Sequence, residues 1–543
     1  MKKHSLLYVL LFSPAVLFSQ SNWQDTANKI NSIFSKWDKK NTPGAALSIS
    51  RNGQVIFSGA WGMADLEHDV ENTTQTIFEA GSVSKQFTAA AILLLEQQGK
   101  LSIEDDIRKY VAEMPDYGHI IKIRHLINHT SGLRDWGSVA AVGGWPRSSR
   151  AYTHAHALQI ICRQQSLNNK PGDEFIYSNS NYNLMAIITE RVSKMSFAAY
   201  CKQYLFGPAG MKNTQWRDDY TRIVKNRAVA YSKGFSGYYT LMPFENVHGN
   251  GGLLTTTADL LLWVEKYTKG EIAGKDFFYN QIRQGVLNNG SAINYASGLF
   301  IDIYNSKKTI THSGATAGYR ANLEFYPELN LSIALLSNDG SLEPVAIAHQ
   351  VADIFIPPIP SSAAAATPPV YNKLKTEELQ QYAGWYRNTK NNEGIKLFVK
   401  EGKLISGNGI ELNALTPGYF SYNRNTVKFV NEESRSGAHF ISPSGDTIYF
   451  QKMDSGLTGE KLAIYTGEYH SEEADATVSI RLKDGKLYYQ LAPLNEVLLT
   501  PAYKDGFENY GNMIWFTKNK KQKIEGFRLS VGRARNIFFK KSG

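Results

Sequence analysis

The chain has 543 residues, 42% of them hydrophobic and 20% charged, and carries a formal net charge of +10. That length predicts two to four domains, and the composition excludes a disordered, fibrous or disulfide-scaffold protein. Only Cys162 and Cys201 are present, both in helix-like segments, so two unpaired thiols are expected.

The start, Met1-Lys2-Lys3-His4, is basic; residues 5–18 are nearly all apolar, and Ser19-Gln20-Ser21 is small and polar. This predicts a secretory signal peptide over 1–20, because the apolar stretch falls short of the roughly 20 residues a bilayer span needs. Export to the periplasm or the medium is the expectation, with an uncleaved anchor as the alternative. Residues 22–37 predict a helix whose stripe holds Trp23, Ile30, Ile33, Phe34 and Trp37. Apolar runs at 44–50 and 54–59 flank Asn52-Gly53, a hairpin signal.

Next comes Gly81-Ser82-Val83-Ser84-Lys85, followed by the apolar run 87–95, a predicted helix ending near Gly99. Three apart at a helix start, Ser82 and Lys85 fall on one face. A Ser hydroxyl needs a base within reach, and a Lys whose ammonium is destabilised by burial can serve. The Ser82 N–H, at the positive end of a helix dipole, is placed to help hold an oxyanion. Alone, Ser-x-x-Lys is a weak signal that chance supplies in a chain of this size.

Residues 100–290 read as mostly helical and loop-rich. Within them, Tyr177-Ser178-Asn179 presents a phenol able to relay a proton and an amide able to hold a substrate. Strand signals return at 296–303, 309–312, 321–326 and 331–337, and 341–355 predicts a closing helix. His312-Ser313-Gly314 ends one of these strands, where Gly314 permits close backbone approach and the Ala315 N–H can be a second oxyanion donor. The fold expected over 21–356 is one α+β domain, its antiparallel sheet built from both chain ends around a helical insert.

Residues 357–370, rich in Pro, Ala and Ser, predict a linker. Beyond it the texture is all-β and repeats itself. Tyr382-Ala383-Gly384-Trp385-Tyr386 recurs as Tyr465-Thr466-Gly467-Glu468-Tyr469, and Lys400-Glu401-Gly402-Lys403-Leu404 as Lys483-Asp484-Gly485-Lys486-Leu487. Two small barrel units, 371–455 and 456–543, follow, with one larger barrel of two half-repeats as the alternative. Basic residues crowd the end: Lys518, Lys520, Lys521, Lys523, Arg528, Arg533, Arg535, Lys540 and Lys541. They read first as a solvated strand face, and functionally as attraction to peptidoglycan or another anionic part of the cell envelope. Nucleic acid is not an expected partner, since no binding motif is present.

Ser-x-x-Lys, Tyr-x-Asn and His-x-Gly stand in the order and settings of the penicillin-recognising serine hydrolases. The chain resembles the branch holding class C β-lactamases, D-Ala-D-Ala carboxypeptidases, D-aminopeptidases and related esterases. Supporting phrases are Phe78-Glu79-Ala80-Gly81-Ser82-Val83-Ser84-Lys85-Gln86-Phe87-Thr88, Ile123-Arg124-His125-Leu126-Ile127-Asn128-His129-Thr130-Ser131-Gly132-Leu133 and Gly251-Gly252-Leu253-Leu254-Thr255-Thr256-Thr257-Ala258-Asp259-Leu260. The resemblance covers 25–356; the tail is similar to the paired β-barrels that follow this domain in D-aminopeptidases.

The resemblance implies Ser82 as acylated nucleophile, Lys85 as proton acceptor or relay, Tyr177 as proton shuttle and Asn179 as a substrate-orienting group. His312, Gly314 and Ala315 form the third, substrate-binding motif. Which of Lys85 and Tyr177 is the base stays open. No cofactor and no metal are expected: His125 and His129 are four apart but lack the His-Glu-x-x-His pattern. The function implied is an exported serine hydrolase acting through an acyl-enzyme on D-amino-acid-containing peptides or amides, or on small esters. The alternatives are a β-lactamase or D-Ala-D-Ala carboxypeptidase, and a non-catalytic envelope-binding or sensor protein on the same fold. Family β-lactamases usually carry Lys where this chain has His312. A neutral imidazole there predicts poor turnover of β-lactams with a free carboxylate. The tail is expected to lay a loop over the active-site mouth.

Overall fold

The computed structural model describes residues 14–356 and 371–542, apart from 424, 433–434, 443–446, 492 and 510. The expected leader up to residue 13 and the linker 357–370 lie outside these described residues. Among the described residues no helix is long and apolar enough to cross a membrane.

Helix α1 (Pro14–Phe34) starts inside the expected leader and runs on through the predicted first helix. Its Ile30 and Phe34 are buried while Trp23 is exposed, so only the C-terminal end of the predicted stripe packs. Strands β1 (Ala45–Arg51) and β2 (Gln54–Trp61) form the hairpin signalled by Asn52-Gly53, with a bulge after Ile49. Three helices of the insert position the site: α2 (Lys85–Gln97), α3 (Asn179–Ser193) and α4 (Thr257–Thr268). The chain then returns through β3 (Phe300–Tyr304), β4 (Lys307–Thr316), β5 (Tyr319–Tyr326) and β6 (Leu331–Ser337), closing with α5 (Pro344–Ala352).

The six strands form one antiparallel sheet in the order β3-β4-β5-β6-β1-β2. The last strand of the domain thus pairs with the first, Ala45 opposite Ser337 and Arg51 opposite Leu331. Both strands are buried on both faces, which explains their unbroken apolar runs. On one face Phe34, Trp37, Ile49, Leu335, Ile347 and Val351 form a closed core, with the Phe34 ring stacked 3.9 Å from Trp61. The other face carries the helical insert, where α2 is buried from Lys85 to Leu95.

The tail forms two closed eight-stranded barrels, so the larger single barrel does not occur. In the first barrel, strand Gly384–Asn388 pairs with Thr447–Met453; in the second, Gly467–Ser471 pairs with Ala534–Lys541. The repeat is structural. Tyr386 donates to Tyr382 O at 3.0 Å, and Tyr469 to Tyr465 O at 2.7 Å. The repeated Glu401-Gly402 and Asp484-Gly485 pairs both have positive φ at both residues, the tight hairpin turn that Asp-Gly favours. Cys162 and Cys201 are both free thiols, as expected.

Candidate active site

Ser82 lies in a tight 3-10 turn, Gly81–Ser84, that feeds directly into α2. The predicted helix start is therefore a turn at Ser82 and α-helix from Lys85 onward. The Ser84 hydroxyl donates to Gly81 O at 2.5 Å and accepts from Leu253 N at 3.2 Å, which fixes the turn. The three-residue spacing brings Lys85 Nζ to 3.0 Å from Ser82 Oγ.

Lys85 is fully buried and touches no carboxylate. Its Nζ donates to Asn250 O at 2.5 Å and to Asn179 Oδ1 at 3.1 Å. Those two acceptors take the two N–H bonds of a neutral amine and leave its lone pair for the Ser82 hydroxyl. Burial holds the Lys85 amine well below the ordinary lysine range, helped by the nearby Arg533 and Arg147 cations. Asn250 was not foreseen; its signal was only its place before the quoted Gly251-Gly252 phrase.

Tyr177 and Asn179 approach from the start of α3. Asn179 is the first residue of that helix; its N–H donates to Asp135 Oδ2 at 2.7 Å, while Ser178 N donates to His129 Nδ1 at 3.2 Å. These bonds clamp the Tyr-x-Asn segment against the insert. Tyr177 lines the cleft beside Ser82, and Lys85 Nζ lies 4.8 Å from the Tyr177 ring centre. Burial raises the Tyr177 phenol above its ordinary value, with the Ser82 hydroxyl and the Arg533 cation opposing. The phenol is thus the proton-bearing partner and the lysine the proton-poor one.

The third motif enters on β4. Strand β3 pairs with β4 only from Lys307 to Thr311, so the edge from His312 to Thr316 is free and runs past the Ser82 turn. The approach demands glycine on both sides. Gly81 has φ +51, and a Cβ there would come within 2.7 Å of Ala315 N. A Cβ on Gly314 would overlap Ala80 O and come within 3.0 Å of Ser82 N. The backbone carrying Ser82 N and the backbone carrying Ala315 N are therefore packed directly against each other at the cleft. His312 Nδ1 donates to Ser313 O at 2.6 Å, leaving Nε2 as acceptor, 3.4 Å from the Tyr295 hydroxyl. Burial, then Lys85, hold the His312 imidazole down to about 3, so it is neutral.

These groups line a cleft of about 630 Å³ in which Ser82, Tyr177, Asn179, His312, Gly314 and Ala315 all take part. Every residue expected at the site is there. Besides Asn250, the cleft holds a cation from the tail that was not expected: Arg533, from the turn between the second barrel's strands Ile524–Val531 and Ala534–Lys541. Part of the basic C-terminal run is accordingly no solvated face. Arg533 enters the cleft, Arg535 pairs with Glu174 at 3.0 Å and Lys518 with Asp505 at 2.7 Å. His125 and His129 do not converge as ligands; their Nδ1 atoms accept from Lys122 N and Ser178 N. Among the described residues Asp65, Glu67 and His68 bring three candidate ligand atoms together, on a surface turn that does not line the cleft.

Residues 30–354 match the Beta-lactamase family profile. The chain is 28% identical over 335 residues to penicillin-binding protein 4* of Bacillus subtilis, covering 58% of this chain and 72% of that protein. It is 24% identical over 464 residues to the D-aminopeptidase of Brucella ovis, covering 82% of each. Among solved structures, the octameric penicillin-binding protein homologue from Pyrococcus abyssi superposes with a TM-score of 0.54 at 22% identity, covering 88% of this chain and 99% of that one. The Ser82-Lys85 turn, the Tyr177 loop and the free edge of β4 thus sit on a known scaffold, and the chain belongs to the beta-lactamase family.

Proposed function

We propose that this protein is an exported serine hydrolase that works through an acyl-enzyme on D-amino-acid-containing peptides and amides, or on small esters. The observation that carries the reading is the buried amine of Lys85, 3.0 Å from the Ser82 hydroxyl in a cleft that Tyr177 also lines. As a neutral amine, Lys85 takes the Ser82 proton while Oγ attacks the substrate carbonyl carbon. The carbonyl oxygen gains the negative charge between the N–H groups of Ser82 and Ala315. Tyr177, kept protonated by burial, gives its proton to the leaving nitrogen or oxygen as the carbonyl–leaving-group bond breaks, and recovers one from the Lys85 ammonium through the Ser82 site. Water, deprotonated by the same pair, then attacks the acyl carbon and frees Ser82. Asn179, anchored by Lys85 and by its position at the start of α3, faces the substrate.

The D-amino acid preference draws support from the D-aminopeptidase relative, whose match is long enough to extend into the tail. The apolar leader-like start supports export, and the basic tail supports contact with an anionic envelope. The test is a fluorophosphonate active-serine probe read by intact mass. The wild type should gain one adduct, located at residue 82 by peptide mapping, and Ser82→Ala none. A wild type that stays unlabelled would favour the non-catalytic envelope-binding reading. Turnover of D-alanine nitroanilide, a short nitrophenyl ester, nitrocefin and a D-Ala-D-Ala peptide then ranks the substrates.

A further inference from the structure

We propose that Arg533, carried into the cleft by the second barrel, is a substrate-anchoring residue that binds a carboxylate on the leaving-group side of the scissile bond. The proposal rests on the acyl-enzyme reading and names a feature of its substrate.

The Arg533 backbone is held firmly while its side chain is left open. Arg533 N donates to Ser138 Oγ at 3.2 Å, and its carbonyl accepts from Asn168 Nδ2 at 2.8 Å and Asp135 N at 3.3 Å. Two residues on, Arg535 N donates to Asn168 Oδ1 at 2.8 Å and its carbonyl accepts from Arg134 Nε at 2.9 Å. The turn is therefore laced to the catalytic domain, and the guanidinium is delivered over the Tyr177 ring, 4.7 Å from its centre. The nearest carboxylate oxygen, Asp135 Oδ2, is 4.0 Å away. Asp135 is already engaged: Oδ2 accepts from Asn179 N at 2.7 Å, and Oδ1 from Ser138 N at 3.0 Å. The Arg533 side chain remains 45% exposed to the cleft, its donors unspent.

The other cations of the cleft are committed. Arg147 forks onto Glu245, and Arg320 Nη1 donates to Ala317 O at 2.9 Å and Tyr319 O at 2.8 Å. Lys85 serves Ser82, and His312 is neutral. The expectation of poor carboxylate binding counted His312 alone; Arg533 supplies the missing charge from another domain. A planar guanidinium suits a carboxylate because it can donate two parallel bonds to the two oxygens. The side of the bond follows from Tyr177. The ring that Arg533 covers belongs to the phenol that protonates the leaving atom, whereas the acyl portion lies along the free edge of β4. A leaving group that is itself an amino acid with a free carboxylate fits that place.

The test uses matched ligands, N-acetyl-D-alanyl-D-alanine and its C-terminal carboxamide, on the full chain. Calorimetry with Ser82→Ala reads binding without turnover. The acid should bind about 10- to 100-fold more tightly than the carboxamide, the range for a charge-assisted pair, and Arg533→Gln in the same background should erase that difference. In the otherwise wild-type enzyme, Arg533→Gln should raise the ratio of KM for the acid to KM for its matched carboxamide by a similar factor. Arg533→Lys should keep part of the preference. Equal binding of acid and carboxamide by Ser82→Ala, or a preference that survives Arg533→Gln, overturns the proposal. If the wild type fails to hydrolyse a short nitrophenyl ester or take up the active-serine probe, the acyl-enzyme reading falls, while the binding comparison still decides the role of Arg533.

Discussion

In the first barrel Tyr386 donates to Tyr382 O, and in the second Tyr469 donates to Tyr465 O; the same tight turns and eight-strand closure recur around them. The repeats part company in what they touch. The first barrel keeps a core of its own around Tyr386, Leu397, Leu412 and Phe420. The core of the second, through Tyr469, Val478, Phe516 and Ile537, is continuous with that of the beta-lactamase-family domain. Its last hairpin turn, Val531-Gly532-Arg533-Ala534, reaches the cleft; the stretch of the first barrel between its last two strands reads Ser442-Pro443-Ser444-Gly445-Asp446, without a cation. The first barrel mainly braces the second: Tyr503 donates to Asn392 O and Ser530 to Asn391 O, each at 2.7 Å. The second barrel thus supplies a residue to the cleft, and the first barrel packs against the second.

The largest effect that would sharpen this contrast is on stability. Arg134 and Glu473 form an ion pair buried between the beta-lactamase-family domain and the second barrel. Glu473→Ala leaves the buried Arg134 cation without its counter-charge and should cost about 3–5 kcal/mol in denaturant unfolding. Lys390→Ala, which removes the half-exposed Lys390–Glu174 contact of the first barrel, should cost at most about 1 kcal/mol. Equal losses would break the distinction. An intermediate effect is expected inside the beta-lactamase-family domain. Glu79 and Arg217 pair with full burial at 2.8 and 3.0 Å, and Arg217→Ala should destabilise by about 3 kcal/mol without altering the preference for carboxylate substrates. The smallest effect belongs to the barrel–barrel contact. Tyr503→Phe removes one buried hydrogen bond and should cost about 1 kcal/mol with kcat unchanged; a fall in kcat would mean that the first barrel also shapes the cleft.

Much of this architecture was legible in the chain because it is local. Asn52-Gly53 specified the first hairpin, and the apolar run of β6 runs from Leu331 to Ser337 as read. The Ser82–Lys85 contact follows from a three-residue spacing within one turn, so the sequence carries it directly. Tyr177, Asn179 and His312 were legible only through the combination of motifs, since nothing local brings α3 and β4 to the same turn. Arg533 was not legible. Its position depends on a barrel docking through Arg134, Ser138 and Asn168, and along the chain it is one basic residue among nine. A lowered Lys85 pKa was expected from burial, but the part played by a cation from the tail could only come from the folded arrangement.

That contribution gives the sharpest test, the pH dependence of Ser82 acylation by a carboxylate-free nitrophenyl ester. A neutral Lys85 as base makes the rate rise with pH through an ionisation well below the ordinary lysine value of about 10.4. Arg533→Gln removes a cation that disfavours the ammonium, so the same ionisation should move to higher pH. A limb that sits at the ordinary lysine value, or one that stays put in Arg533→Gln, would contradict a base prepared by burial and by the second barrel.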